Sequence, residues 1–104
     1  MTPEGKNKAT VKALLKKYGV YWHMPIQQGL GAPSLDFICC CGGRYLAIET
    51  KAPGKRPTPR QYLTMAHIEA ARGVVFVIDG TELPLKNLEE FLRVNCPKPT
   101  GSRS

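Results

Sequence analysis

Apolar positions along the chain follow two different periods. Val11, Leu14, Leu15 and Tyr18 recur at i, i+3, i+4 and i+7, the stripe of an amphipathic helix. Thr2-Pro3-Glu4 marks its start, with a hydroxyl cap, proline at the first helical position and an acid in the first turn, and Gly19 caps its end. The β-forming run "VYWHM", Val20 to Met24, predicts a first strand, and "PIQQGLGAPS" a loop. A second strand is expected over about Leu35 to Cys40, and the Gly42-Gly43 turn pairs it with a third, about Arg44 to Thr50. Thr58-Pro59-Arg60-Gln61 is a capping box that opens a helix reaching about Arg72, with Gly73 as its cap. The unbroken run "VVFVI", Val74 to Ile78, predicts a central strand buried on both faces. Asp79-Gly80 then turns the chain into a last amphipathic helix carrying Leu85, Leu88, Phe91 and Leu92. The order α-β-β-β-α-β-α defines an α/β domain with a mixed sheet, part hairpin and part crossover, flanked by helices.

With 104 residues the chain has room for one domain and one modest core. Residues 1–95 are expected to form it, and residues 96–104, "CPKPTGSRS", to be a flexible tail. Fifteen Lys and Arg against eight Asp and Glu leave a formal charge of +7, which favours polyanionic partners, nucleic acid first. No apolar run approaches the roughly 18–20 residues of a membrane helix, and "MTPEGKNK" lacks the apolar core of a signal peptide. A cytoplasmic protein with no membrane partner is therefore expected. Consecutive strand residues alternate between faces, so Cys39, Cys40 and Cys41 cannot converge on one ion. With no C-x-x-C pair, reduced and mostly buried thiols are expected instead of a zinc site or disulfide framework.

The chemistry gathers in "LAIETKAPGKRPTPRQ", Leu46 to Gln61. On the third strand Glu49 and Lys51 share one face, and the short antiparallel turn brings Asp36, near the start of the second strand, close to Glu49. Two carboxylates and a lysine thus converge at one end of a hairpin. Glu4 lies seven residues before Val11, which places it on the inward stripe of the first helix; Gln61 shares the face of Met65 and Ile68. Facing carboxylates repel, and a hard divalent cation relieves that repulsion. Asp36, Glu49 and the Thr50 carbonyl are the candidate ligands for Mg²⁺ or Mn²⁺. A hydrated cation there supplies the nucleophile for phosphodiester hydrolysis, with Lys51 to orient water or neutralise developing charge. Lys55, Arg56 and Arg60 sit just beyond, placed for phosphate contacts, and Gln27 and Gln28 in the glycine loop are further candidates for DNA contact.

These residues resemble the PD-(D/E)xK nuclease motif. "GLGAPSLDF", "AIETKAPGKRPTPRQ" and "GVVFVIDG" are similar to standalone VRR-NUC domains of phages and bacteria, a likeness running from about Thr2 to Gly80. The literal proline-aspartate pair is absent, since Ser34 and Leu35 separate Pro33 from Asp36. The resemblance implies a restriction-endonuclease-like αβββαβ core in which Asp36, Glu49 and Lys51 form the catalytic centre. It further implies that Glu4 completes that centre, as a further metal ligand, and that Gln61 matches the family's glutamine. Such domains are similar to Holliday-junction resolvases and act as homodimers on branched DNA with Mg²⁺ or Mn²⁺, in phage or bacterial cytoplasm.

Plainer readings stand beside these. An E-x-K pair at a strand end is commonly a solvated ion pair, and Glu4 complements a helix dipole with Lys8 one turn on. Gln61 serves the capping box alone in a rival reading, because the two roles use different side-chain orientations. His23 reads as structural, Asp79 as a turn residue, and the lysines of the first helix as a solvated face. At the level of function, the alternatives are a flap, single-strand or non-specific nuclease, or a non-catalytic nucleic-acid-binding module.

Overall fold

The computed structural model describes residues 1–26 and 34–96. Helix α1 spans Pro3–Lys17, capped by the Thr2 hydroxyl, which accepts the Gly5 N–H at 3.0 Å. Strands β1 (Tyr21–His23), β2 (Phe37–Cys41) and β3 (Arg44–Thr50) follow, then α2 (Pro59–Ala70), β4 (Val74–Ile78) and α3 (Glu82–Asn95). The sheet runs β1-β2-β3-β4, antiparallel up to β3 and parallel between β3 and β4. Gly42 and Gly43 close the β2–β3 hairpin with φ of 59° and 83°, a pair of positive angles that suits two glycines.

Alternation along β3 sorts the core into two layers. Leu46 and Ile48 join Phe37, Cys39, Cys41 and Ile78 beneath α1 and α3, where Val11, Leu15, Leu88 and Leu92 are fully buried. Ala47 faces the other way, with Leu35, Ile38, Val75 and Val77, against Met65 and Ile68 of α2. Cys96 joins the first layer and Cys40 is exposed on the opposite face; all four cysteines are free thiols. Burial pushes the Cys39 and Cys41 thiols up to about 12, so they act as small apolar side chains.

Three details depart from the sequence expectations. The apolar run of β4 is an edge strand, and Val74 to Val77 are only half-buried. The central, fully covered stretch is Leu46 to Thr50 of β3. An apolar run reports contact on both faces, which α2 and α3 supply, and says nothing about a neighbour at the edge. Second, the left-handed residue after α2 is Arg72, with φ of 73°, and not Gly73. Glycine is needed one position later for space: a Cβ there would lie 2.6 Å from Ile68 Cγ2 and 3.2 Å from the Tyr45 ring. Third, Glu4 does not continue the buried stripe of α1; its side chain is 41% exposed, while Asn7 is buried. Two helical turns separate Glu4 from Val11, about 10 Å of rise, which carries it past the covered part of the sheet.

Opposite effects are expected at the end of α2. Gly73→Ala should lower stability by about 1–3 kcal/mol through overpacking, and Arg72→Gly should raise it by about 0.5–1 kcal/mol by relieving the left-handed backbone. Urea unfolding of both variants checks the pair, and a stabilised Gly73→Ala protein would contradict the packing.

Candidate active site

The site is built where the β2–β3 ladder ends. Main-chain pairing stops at Phe37 opposite Ile48, and side chains take over one residue further. Asp36 Oδ2 accepts the Thr50 N–H at 2.9 Å and the Thr50 hydroxyl at 2.6 Å. In return the Asp36 N–H donates to Glu49 Oε1 at 3.2 Å. The two acids that strand periodicity brings together are therefore tied into one cross-strand link.

Glu49 is 3% exposed. Its Oε2 accepts the Gln61 Nε2–H at 2.8 Å and lies 3.4 Å from the Lys51 ammonium, itself only 15% exposed. The Glu49–Lys51 pair is thus enclosed, unlike a solvated ion pair at a strand end. Gln61 performs both functions that the sequence posed as rivals. Its Oε1 accepts the Thr58 N–H at 2.9 Å and its own N–H donates to the Thr58 hydroxyl, leaving Nε2 for Glu49. The amide has a separate acceptor and donor, so one orientation serves the cap and the carboxylate together.

Burial, and then the negative charge of Asp36, push the Glu49 carboxyl up to about 7, against the opposing pull of Lys51. A carboxylate kept from ionising by a second carboxylate is a place where added positive charge is favourable.

Helix α1 supplies Asn7, which the sequence reading did not single out, and Lys8, which it placed one turn after Glu4 on a solvated face. Asn7 Nδ2 donates to the Lys51 carbonyl at 2.8 Å and so pins the chain where it leaves β3. It packs beside Gly80, where a Cβ would meet its amide at 3.0 Å. Lys8 pairs with Glu4 at 3.2 Å and reaches 4.0 Å from Asp36 Oδ1. The spacing held a clue to Asn7, a polar residue four positions before Val11 on the buried stripe. Glu4 meets the other acids only through Lys8. Lys55, Arg56 and Arg60 are exposed, on the loop after β3 and in the first turn of α2. Gln27 and Gln28 lie outside the described residues.

The donor set fits a hard divalent cation. Asp36 and Glu49 offer carboxylate oxygens; because the Thr50 N–H faces Asp36, its carbonyl points to the same side of an extended strand. Among the described residues no three His, Cys, Asp or Glu side chains gather as a cage. Two carboxylates and a carbonyl suit Mg²⁺ or Mn²⁺, which keep several waters, better than zinc.

A mixed sheet ordered β1-β2-β3-β4, with α1 and α3 on one face and α2 on the other, matches the restriction-endonuclease-like fold. A solved VRR-NUC domain structure is similar to this chain with a TM-score of 0.70, covering 90% of this chain and 98% of that one, at 17% sequence identity. The chain has that domain's fold. No family model and no curated protein matches the sequence.

Glu49 gives the folded protein a distinctive pH response. The folded chain keeps a proton on Glu49 between the ordinary glutamate range and about pH 7, while the unfolded chain has already released it. Stability therefore falls as pH rises through that interval, by roughly 2–3 kcal/mol. Urea titrations in chelator at pH 5 and pH 8 should show this fall in the native protein and its loss in Glu49→Gln. The same slope in both proteins would place the proton elsewhere.

Proposed function

We propose that this protein is a Mg²⁺- or Mn²⁺-dependent endodeoxyribonuclease that hydrolyses phosphodiester bonds in branched, four-way-junction-like DNA as a homodimer in phage or bacterial cytoplasm. The observation that carries the reading is the convergence of Asp36, Glu49 and Lys51, with Gln61 on Glu49, at the open end of one hairpin. The likeness to a VRR-NUC domain supports it at the level of fold. The positive charge of +7, with Lys55, Arg56 and Arg60 exposed beside the acids, supports a nucleic-acid substrate. Paired cuts across a junction need two sites, which a twofold dimer of single-site protomers provides.

Asp36, Glu49 and the Thr50 carbonyl would hold the cation, which when bound neutralises phosphate charge and acidifies water. Glu49 is held by Gln61, so its second oxygen is fixed before substrate arrives. Lys51, at 3.4 Å from that carboxylate, orients the attacking water or neutralises charge developing on the phosphate. Water adds to phosphorus, one P–O bond of the backbone breaks, and the departing oxygen takes up a proton. Asn7 keeps Lys51 in register by holding its carbonyl. The basic loop and Arg60 bind flanking phosphates and position the strand.

Labelled four-way junction, duplex and flap DNA incubated with Mg²⁺ test the reading. Cleavage of the junction is expected, falling by about 10²–10³-fold in Asp36→Asn and Lys51→Ala while DNA affinity changes little. Faster cleavage of flap or single-stranded DNA would favour a flap or single-strand nuclease. Salt-sensitive binding without cleavage under any divalent metal would leave only a binding module.

Gln61→Glu separates the helix cap from the site. Glutamate preserves the capping box but sets a third carboxylate against Glu49. The variant should stay folded with its helix cap intact and melt only a few degrees lower from the added like charge, while cleavage drops by about tenfold or more, the effect of one lost hydrogen bond of about 1.4 kcal/mol. An unfolded variant, or one with full activity, would contradict the divided role of this residue.

A further inference from the structure

We propose that Lys8 makes this a one-ion site: its ammonium takes the position between Glu4 and Asp36 that a second divalent cation would need. The inference rests on the metal-dependent reading above and concerns how many ions the chain holds. Three acids lie at this end of the sheet in a row, Glu49 linked directly to Asp36 and Asp36 separated from Glu4 by Lys8. The Lys8 ammonium sits 3.2 Å from Glu4 Oε2 and 4.0 Å from Asp36 Oδ1, bridging the outer pair. Asp36 Oδ2 is already bonded to Thr50, so Oδ1, with its two lone pairs, is the oxygen left to face both Lys8 on one side and the ion shared with Glu49 on the other.

Lys8 is held at this place by its neighbours on the helix. Asn7 fixes the early part of α1 to the sheet through the Lys51 carbonyl, one residue before Lys8. Glu4 stands four residues earlier, the favourable order for a helical Glu–Lys pair. The lysine side chain is 32% exposed, so it is partly enclosed. A compact ammonium balances the outer acids with a single charge, and a dication entering the same gap meets direct repulsion. Glu4 therefore stays out of the ligand set, and Asp36 with Glu49 holds one ion. Charge within the site is supplied partly by the chain and only partly by metal.

Counting Mn²⁺ bound to DNA-free protein by electron paramagnetic resonance tests this without reading activity. The native protein is expected to bind one ion per protomer, and Lys8→Met two. The double variant Glu4→Gln, Lys8→Met should return to one. Lys8→Arg, which keeps the charge, should stay at one. Glu4→Gln alone, a change at a half-exposed side chain, should shift Mn²⁺ affinity less than about twofold. Two ions in the native protein, one ion in folded Lys8→Met, or a tenfold loss of affinity in Glu4→Gln would each overturn the inference while leaving a metal-dependent nuclease intact. Native protein that binds no Mn²⁺, with Asp36→Asn indistinguishable from it, would overturn the metal reading itself and this inference with it.

Discussion

The cross-strand link made by Asp36 is the constraint on which the rest of the site depends. Beyond Phe37 and Ile48 the hairpin has no further main-chain partner, and the aspartate stands in for one by accepting both the N–H and the hydroxyl of Thr50. A carboxylate can replace a carbonyl in this role because it is a stronger acceptor. It also brings a negative charge to the sheet end, directly against Glu49. The residue that closes the hairpin is therefore also one that, after burial, raises the Glu49 carboxyl. Stability and chemistry cannot be adjusted separately at Asp36.

Both neighbouring helices answer that charge near their N-termini, α2 from its first turn and α1 from its second. Helix α2 offers the Gln61 amide to Glu49, and α1 offers Asn7 to the Lys51 carbonyl and Lys8 to the outer acids. Early helical turns carry the positive end of the helix dipole, which favours carboxylates nearby. The caps at Thr2 and Thr58 consequently do more than start helices. They fix where each first turn falls relative to the sheet end, and so which side chains reach the acids.

Much of this was legible in the sequence because the relevant periods are short. Alternation on β3 and a two-glycine turn suffice to bring Asp36 to Glu49. The capping box likewise locates Gln61, since four residues define it. Relations between distant elements were less legible. Nothing local to Val74–Ile78 says that the sheet stops there, and nothing local to Glu4 says that α1 runs past its covering sheet. Asn7 escaped notice because a polar residue on an apolar stripe is informative only when its acceptor is known, and that acceptor is the main chain of Lys51, forty-four residues away. Left-handed Arg72 shows the same limit: the spacing marks the end of α2 to within two residues, while packing against Ile68 and Tyr45 decides which position requires glycine.

Charge is arranged differently inside the site and outside it. Within it, Lys51 and Lys8 are committed to Glu49, Glu4 and Asp36, so the enclosed groups are close to balanced before any ligand arrives. Outside it, Lys55, Arg56 and Arg60 make no ion pair among the described residues and face solvent. A polyanion approaching this end of the sheet therefore meets uncompensated positive charge first, which draws it in over about a Debye length. Only at contact does it meet the buried carboxylates, whose repulsion of phosphate a cation must offset. Attraction at long range and repulsion at short range follow from the same stretch of chain, because the loop that carries Lys55 and Arg56 begins at Lys51, two residues after Glu49 of β3. For the proposed hydrolysis this order would matter: a site whose own lysines are already paired with its acids would have little charge left to stabilise a pentavalent phosphate unless Lys51 exchanged its partner. In the proposed reaction a bound cation would take over the charge of Glu49 and leave Lys51, now 3.4 Å from that carboxylate, free to turn to the phosphate.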